Sequence, residues 1–286
     1  MDQLNVTRAI VLGGGGVTGM AWEVGMLAGL LEVGIDLYST DTVIGTSAGS
    51  FVGAALASGY DMNQLFLQQL ESRDFEIPAV VSAELYQEWV QAFQKGGAHP
   101  ELVGAEFGKI AQNRPEPISV ELRRFVLENR LVTTVWPAKL KVTAIQAETG
   151  QLYTFSQASG ISLIDAVAAS GAVPGISPLV HIDGEDWIDG GMVSPTNTRL
   201  ADAYDRIIIL APMPGGYGLI PGASDEASTL QANGKEVVLV TPDPASIAAI
   251  GNNPYDPTNC ASIAMAARAQ SKLVADSIRA MWSFHR

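Results

Sequence analysis

Gly45-Thr46-Ser47-Ala48-Gly49 sets a serine between glycines two residues to either side. Before it, Thr42-Val43-Ile44 is short, β-branched and apolar, the pattern of a buried strand's end. After it, Ala48 to Ser58 is small and helix-compatible, and Gly59 is a C-terminal stop. A serine on such a sharp strand-to-helix turn is held out at the end of the sheet, and the glycines leave room for the turn's own backbone. The dipole of the following helix favours negative charge there. The chemistry that suits this geometry is nucleophilic attack. The plainer alternative is a glycine-rich turn with an incidental serine.

A serine hydroxyl is a weak nucleophile and needs a base. Histidine is the usual one, and the chain has His99, His181 and His285. His99 sits in a Gly-Gly-Ala-His-Pro loop, His181 leads a hairpin strand, and His285 is next to the C-terminus. None lies in a motif, and each reads as a surface or packing residue. An α/β-hydrolase runs in the order Ser, acid, His, which only His285 satisfies. The other candidate base is Asp189, followed by Gly190 and Gly191. A carboxylate bonded to the serine can take its proton if its surroundings raise its pKa from about 3.9. Taken alone, Asp-Gly-Gly is also an ordinary turn.

A second glycine cluster, Gly13-Gly14-Gly15-Gly16-Val17-Thr18-Gly19, follows the apolar run Arg8 to Leu12 and precedes a helix over Met20 to Val33. Strand, glycine loop and helix N-terminus together aim backbone N–H groups at whatever sits above. A nucleotide phosphate or a developing oxyanion fits that cradle. Gly14, Gly16 and Gly19 match the dinucleotide spacing, with Asp36 near the place of a ribose-binding acid. That acid should follow the second strand, however, and Asp36 precedes it. No Gly-Lys-Ser/Thr follows the glycines, so the loop is not a P-loop.

The 286 residues are 47% hydrophobic and 16% charged, the composition of a well-buried globular chain. A net charge of −13 excludes an electrostatic nucleic-acid binder and argues against adsorption to anionic lipid, so membrane contact is transient at most. Cys260 is the only cysteine, so there is neither a disulfide framework nor a thiolate metal site. Met1 to Asn5 lacks the pattern of a secretory signal, and no run approaches the ~20 apolar residues of a membrane span; a cytoplasmic location is expected.

Strands are expected at Leu140 to Ile145, Leu152 to Phe155, Arg206 to Leu210 and Glu236 to Val240, and a hairpin at Val180 to Ile188. Ser162 opens a helix that stops at Ser170-Gly171, Gly215 to Asn233 is expected to be a mobile loop, and Ala261 to Trp282 a long helix. Residues from about 61 to 137 form a helical insertion. Within it Leu85, Tyr86, Trp89, Val90 and Phe93 make an apolar stripe. Packing onto the core is the favoured reading of that stripe; a lid or lipid contact is the alternative.

In chain order, Gly13-Gly14-Gly15-Gly16-x-x-Gly19, Gly45-Thr46-Ser47-Ala48-Gly49 and Asp189-Gly190-Gly191 resemble the patatin-like phospholipase family. Ala168-Ala169-Ser170-Gly171-Ala172-Val173-Pro174-Gly175 resembles that family's block before the aspartate. The resemblance spans most of residues 8 to 210 and is weakest over the insertion. It implies a three-layer α/β/α fold with a central, mostly parallel sheet, formed by one domain over residues 1–286. It implies a Ser47–Asp189 dyad without histidine, an oxyanion hole at Gly14, Gly15 and Gly16, and no metal or cofactor. The substrate is then an acyl ester or a (lyso)phospholipid. A lipid-binding member without catalysis and a nucleotide-binding protein are the alternatives. Thr18 stands where the family loop usually has Arg or Lys just before its last glycine. The missing cation bears on catalytic efficiency and on preference for phosphate-bearing substrates.

Overall fold

The computed structural model describes residues 6–115 and 117–282. The expectations for Met1 to Asn5 and for His285 lie outside the described residues. Eight strands make one sheet: β1 (Arg8–Leu12), β2 (Thr42–Thr46), β3 (Leu140–Gln146), β4 (Leu152–Phe155), β5 (Val180–Ile182), β6 (Glu185–Asp189), β7 (Arg206–Leu210) and β8 (Glu236–Val240). Their order is β5-β6-β3-β2-β1-β7-β8, with β4 also paired to β3. From β3 through β8 the neighbours are parallel; β4, β5 and β6 pair antiparallel. The near-continuous apolar runs of β1, β2 and β7 follow from burial on both faces.

One sheet face carries Ile10, Leu12, Val43, Val142, Ile208 and Leu210. It is covered by α1 (Gly16–Glu32), α2 (Ala48–Ser58), α7 (Leu163–Ser170) and α10 (Cys260–Trp282). On the opposite face, Ala9, Val11, Ile44, Ile207 and Ile209 pack under α8 (Ala223–Ala232). Ile145 and Ile188 on that face lie under α4 (Ala83–Gly96) and α5 (Pro100–Asn113). The three-layer α/β/α arrangement expected from the resemblance is the one observed. Residues 61–137 hold α3 (Met62–Gln69), α4, α5 and α6 (Val120–Arg130) and no strand among the described residues.

Two sequence expectations need correction. The first helix begins at Gly16, not Met20, because Gly16 and Gly19 join its first turn. Gly215 to Asn233 is not all loop, since α8 occupies its second half. Ala223, Ala227 and Leu230 fall at i, i+4 and i+7 and bury one face of α8. The intervening Ser, Asp and Thr are its solvent side, and they hid the period. A short helix at α9 (Pro244–Ile250), capped by Asp243, was also not anticipated.

The sheet explains how two distant residues meet. Along β3, Leu140 to Thr143 pair with β2, while Ala144 to Gln146 pair with β6. β4 takes the other edge, because Ala144 and Ile145 pair with both β4 and β6. Strands β2 and β6 therefore share one edge of β3 and approach each other end to end. Thr46 lies opposite Thr143 and Asp189 opposite Ala144. The residue that leaves β2 is Ser47.

Candidate active site

Ser47 has φ 52 and ψ −118, a conformation that costs a serine of order 1–3 kcal/mol. Its neighbours hold it there. The Ser47 N–H donates to Ser170 Oγ at 2.8 Å, and Ser50 Oγ donates to the Ser47 carbonyl at 2.6 Å. A Cβ on Gly45 would stand 2.5 Å from the Gly49 carbonyl oxygen, and one on Gly49 would enter the Leu12 carbonyl. Both elbow glycines are thus required by space.

Ser47 Oγ donates to Asp189 Oδ2 at 2.6 Å, with both residues buried. The other carboxylate oxygen, Oδ1, accepts from the Gly191 N–H at 2.6 Å. Burial pushes the Asp189 carboxyl up to about 7, although the bonds from Ser47 and Gly191 and the Arg123 charge all pull it down. A carboxylate with that pKa can accept a proton at neutral pH and return it. No described histidine joins the pair. His99 stands at the start of α5, and His181 is an exposed partner of Asp186.

Three residues around the dyad were given no role in the site by the sequence. Ser170 closes α7 and holds Ser47, while the Ala172 carbonyl accepts from the Asp189 N–H at 3.0 Å. The Ala-Ser-Gly-Ala block thus grips both members of the dyad. Asn197, at φ 56, donates to Thr46 Oγ1 at 3.0 Å and to the Gly190 carbonyl at 3.1 Å, joining the two strand ends. A buried Asn in left-handed backbone is invisible in a sequence without its contacts. Tyr255 is the third; its ring packs at Gly16, and it borders both cavities described below.

In the glycine loop, the Gly14 N–H donates to the Pro195 carbonyl at 3.0 Å, so it is committed within the protein. The N–H groups of Gly15 and Gly16 have no protein acceptor among the described residues, as the start of a helix dictates. Gly16 has φ +61, and a Cβ there would enter the Pro254 carbonyl. Thr18 is buried and donates to the Gly15 carbonyl at 3.2 Å; it braces the loop and brings no charge. Asp36 lies beyond the far end of α1. The 17 residues of that helix span about 25 Å, so Asp36 cannot reach a ligand on the loop. The dinucleotide reading loses its ribose acid.

Two cavities meet at Ser47. The larger, about 790 Å³, borders Gly14 to Gly16, Ser47 and Asp189 and is mostly apolar, with Trp89, Phe93, Phe107, Met192 and Leu219 in its wall. The insertion stripe therefore divides. Leu85 packs on Val173 and Ile176, while Trp89 and Phe93 line the cavity and pack on Phe107. The favoured packing reading holds for Leu85 and also for Trp89 and Phe93, which in addition face the cavity. The smaller cavity, about 220 Å³, shares Ser47, Gly16 and Tyr255 but has Arg123 and Arg130 in its wall. Among the described residues no group of side chains is arranged to bind a metal, and no helix is long and apolar enough to cross a membrane.

A family model for patatin-like phospholipases matches residues 10–202. The chain is 30% identical over 209 residues to a cUMP-AMP-activated phospholipase of Escherichia coli, covering 70% of this chain and 59% of that protein. It is 27% identical over 220 residues to an NTE family protein of Mycobacterium tuberculosis, covering 74% of this chain and 32% of that protein. The chain thus spans less than two thirds of either relative. Among solved structures, human GIVD cytosolic phospholipase A2 aligns at TM-score 0.49 and 11% identity, over 97% of this chain and 63% of that one. VipD from Legionella pneumophila aligns at 0.48 and 14%, over 95% and 67%.

Proposed function

Because the chain belongs to the patatin-like phospholipase family, we propose that it hydrolyses acyl esters through an acyl-enzyme on Ser47. The observation that carries this is the 2.6 Å bond from Ser47 Oγ to a buried Asp189 carboxylate. Asp189 Oδ2 takes the hydroxyl proton as Ser47 Oγ attacks the ester carbonyl carbon. The carbonyl oxygen becomes an oxyanion facing the N–H groups of Gly15 and Gly16, with the start of α1 behind them. Collapse expels the alcohol, which leaves with the proton from Asp189. Water then gives its proton to Asp189 and attacks the acyl-enzyme; the fatty acid departs and Ser47 recovers its proton. Gly14 supports the hole through its bond to Pro195 rather than through its own N–H.

The substrate side of the proposal is a lipid acyl ester, its chain in the larger cavity against Trp89 and Phe93. No step calls for a metal or cofactor. A fluorophosphonate probe is expected to label Ser47, and Ser47→Ala to lose both labelling and esterase activity. Labelling elsewhere, or activity that survives the change, would reject the assignment. Labelling without turnover on any ester or phospholipid would favour a lipid-binding role.

A further inference from the structure

The small cavity that borders the nucleophile also borders a cation with no direct ion pair among the described residues. On α6, Arg123, Val126, Leu127 and Arg130 fall at i, i+3, i+4 and i+7, so both arginines share the inward face with two buried apolar residues. Their partners differ. Arg130 donates to both oxygens of Glu76, at 2.9 and 2.5 Å, and Arg73 adds a bond to the same carboxylate at 2.7 Å. Arg123 donates to one neutral group, the Gly171 carbonyl, at 3.1 Å. Among the described residues no carboxylate forms an ion pair with it. A guanidinium carries five N–H donors, so most of those on Arg123 remain open to the cavity it lines. Burial, with Arg130 nearby, pushes Arg123 down to about 9, which still leaves it cationic at neutral pH. Glu76 and Asp189 act on it only through space, so a partly buried guanidinium with no carboxylate bonded to it among the described residues leaves room for a bound anion to offset its desolvation.

We infer that Arg123 makes the small cavity a subsite for a phosphate group carried by the ester substrate. This rests on the acyl-ester hydrolase reading and deepens it. The acyl chain enters the apolar cavity, the phosphate-bearing side enters the smaller one, and the scissile carbonyl lies between them at Ser47. The planar guanidinium fork can meet two phosphate oxygens side by side. Arg123 thereby supplies, from the insertion, the cation that Thr18 does not supply from the glycine loop.

The test compares two esters with one acyl chain, a lysophosphatidate and the uncharged monoacylglycerol. kcat/KM is measured for wild type, Arg123→Met and Arg123→Lys. Wild type is expected to favour the phosphate ester. Arg123→Met should lose roughly 10- to 100-fold more on the phosphate ester than on the neutral one, as befits lost hydrogen bonds to a charged group, and Arg123→Lys should retain part of the preference. Equal losses on both esters would assign Arg123 a structural role through Gly171 and overturn the subsite. Inorganic phosphate should inhibit neutral-ester hydrolysis in wild type and much less in Arg123→Met. Phosphate inhibition without a preference for the phosphate ester would mean a site for free phosphate and would overturn the substrate assignment. The wild-type comparisons need no variant, so misfolding of Arg123→Met leaves the test decisive. Fluorophosphonate labelling of Ser47 runs alongside. Labelling with no phosphate preference rejects the subsite alone, whereas no labelling rejects the hydrolase reading beneath it.

Discussion

At the elbow, backbone meets backbone: Gly45 lies against Gly49, Gly49 against Leu12, and Gly16 against Pro254, each too close for a side chain. Across the cavity, α4 and α5 also have close backbone contacts, at Gly96, Gly104 and Gly108, but the wall that faces the site and the joint to α6 are made by side chains. Trp89 and Phe93 pack on Phe107, Tyr217 stacks on Phe93, and Glu76 bridges Arg73 and Arg130. The difference is one of tolerance. Backbone contacts place the reacting atoms and admit almost no substitution, because no rotamer can relieve the clash. Side-chain contacts shape the space around those atoms and can be exchanged piecemeal. Under the proposed function, the elbow would govern whether the reaction occurs, and the insertion which ester is taken.

The sharpest way to break this comparison is at the dyad. Asp189→Asn keeps the shape and removes the base, so turnover is expected to fall by roughly 10²–10⁴-fold, as measured by kcat on a neutral ester. The wild-type rate should rise about tenfold per pH unit below pH 7 and level off above it, as Asp189 loses its proton. The same shift acts on stability. The folded pKa lies above the unfolded value of about 3.9, so the folded chain holds the proton more tightly. The contribution of Asp189 therefore weakens as pH rises from about 4 to 7 and is constant above. A rate that stays flat from pH 5 to 8 would show that the dyad does not limit turnover.

A smaller effect is expected at the insertion's charged joint. Burial raises the Glu76 carboxyl, but Arg130 and Arg73 outweigh it and hold it below its ordinary value. Glu76→Gln strands two arginines and should cost about 3–5 kcal/mol in chemical denaturation, the usual penalty for breaking a buried ion pair. Far less destabilisation would mean that the joint is hydrated.

The smallest effect should come from the cavity wall. Phe93→Ala opens space beside Tyr217 and Phe107. It is expected to shift acyl-chain preference towards longer or bulkier chains by about 10-fold, the scale of one or two methylenes in an apolar pocket. Labelling of Ser47 should be unaffected. A loss of labelling would tie the insertion to the elbow more closely than the contacts suggest.

Much of this molecule is local and therefore legible in the sequence. The buried parallel strands are continuous apolar runs, the elbow is a spacing of two glycines, and Ser162 announces its helix by capping it. Ser47 could be named as a candidate because the residues that shape its turn lie beside it in the chain, whereas Asp189 is singled out from an ordinary Asp-Gly-Gly turn by the resemblance. Where local signals were mixed, as in α8, the solvent face obscured the period.

The rest depends on neighbours distant in the chain. Only the shared edge of β3 brings Ser47 and Asp189, 142 residues apart, to hydrogen-bonding distance. Only packing raises the Asp189 carboxyl, because desolvation depends on what covers a group. The Gly14 N–H is committed to the Pro195 carbonyl, a bond that no spacing foretells. Arg123 is one of two arginines on the inner face of α6, and the sequence marks them alike. The fold decides between them, since Glu76 bonds to Arg130 and, among the described residues, no carboxylate bonds to Arg123.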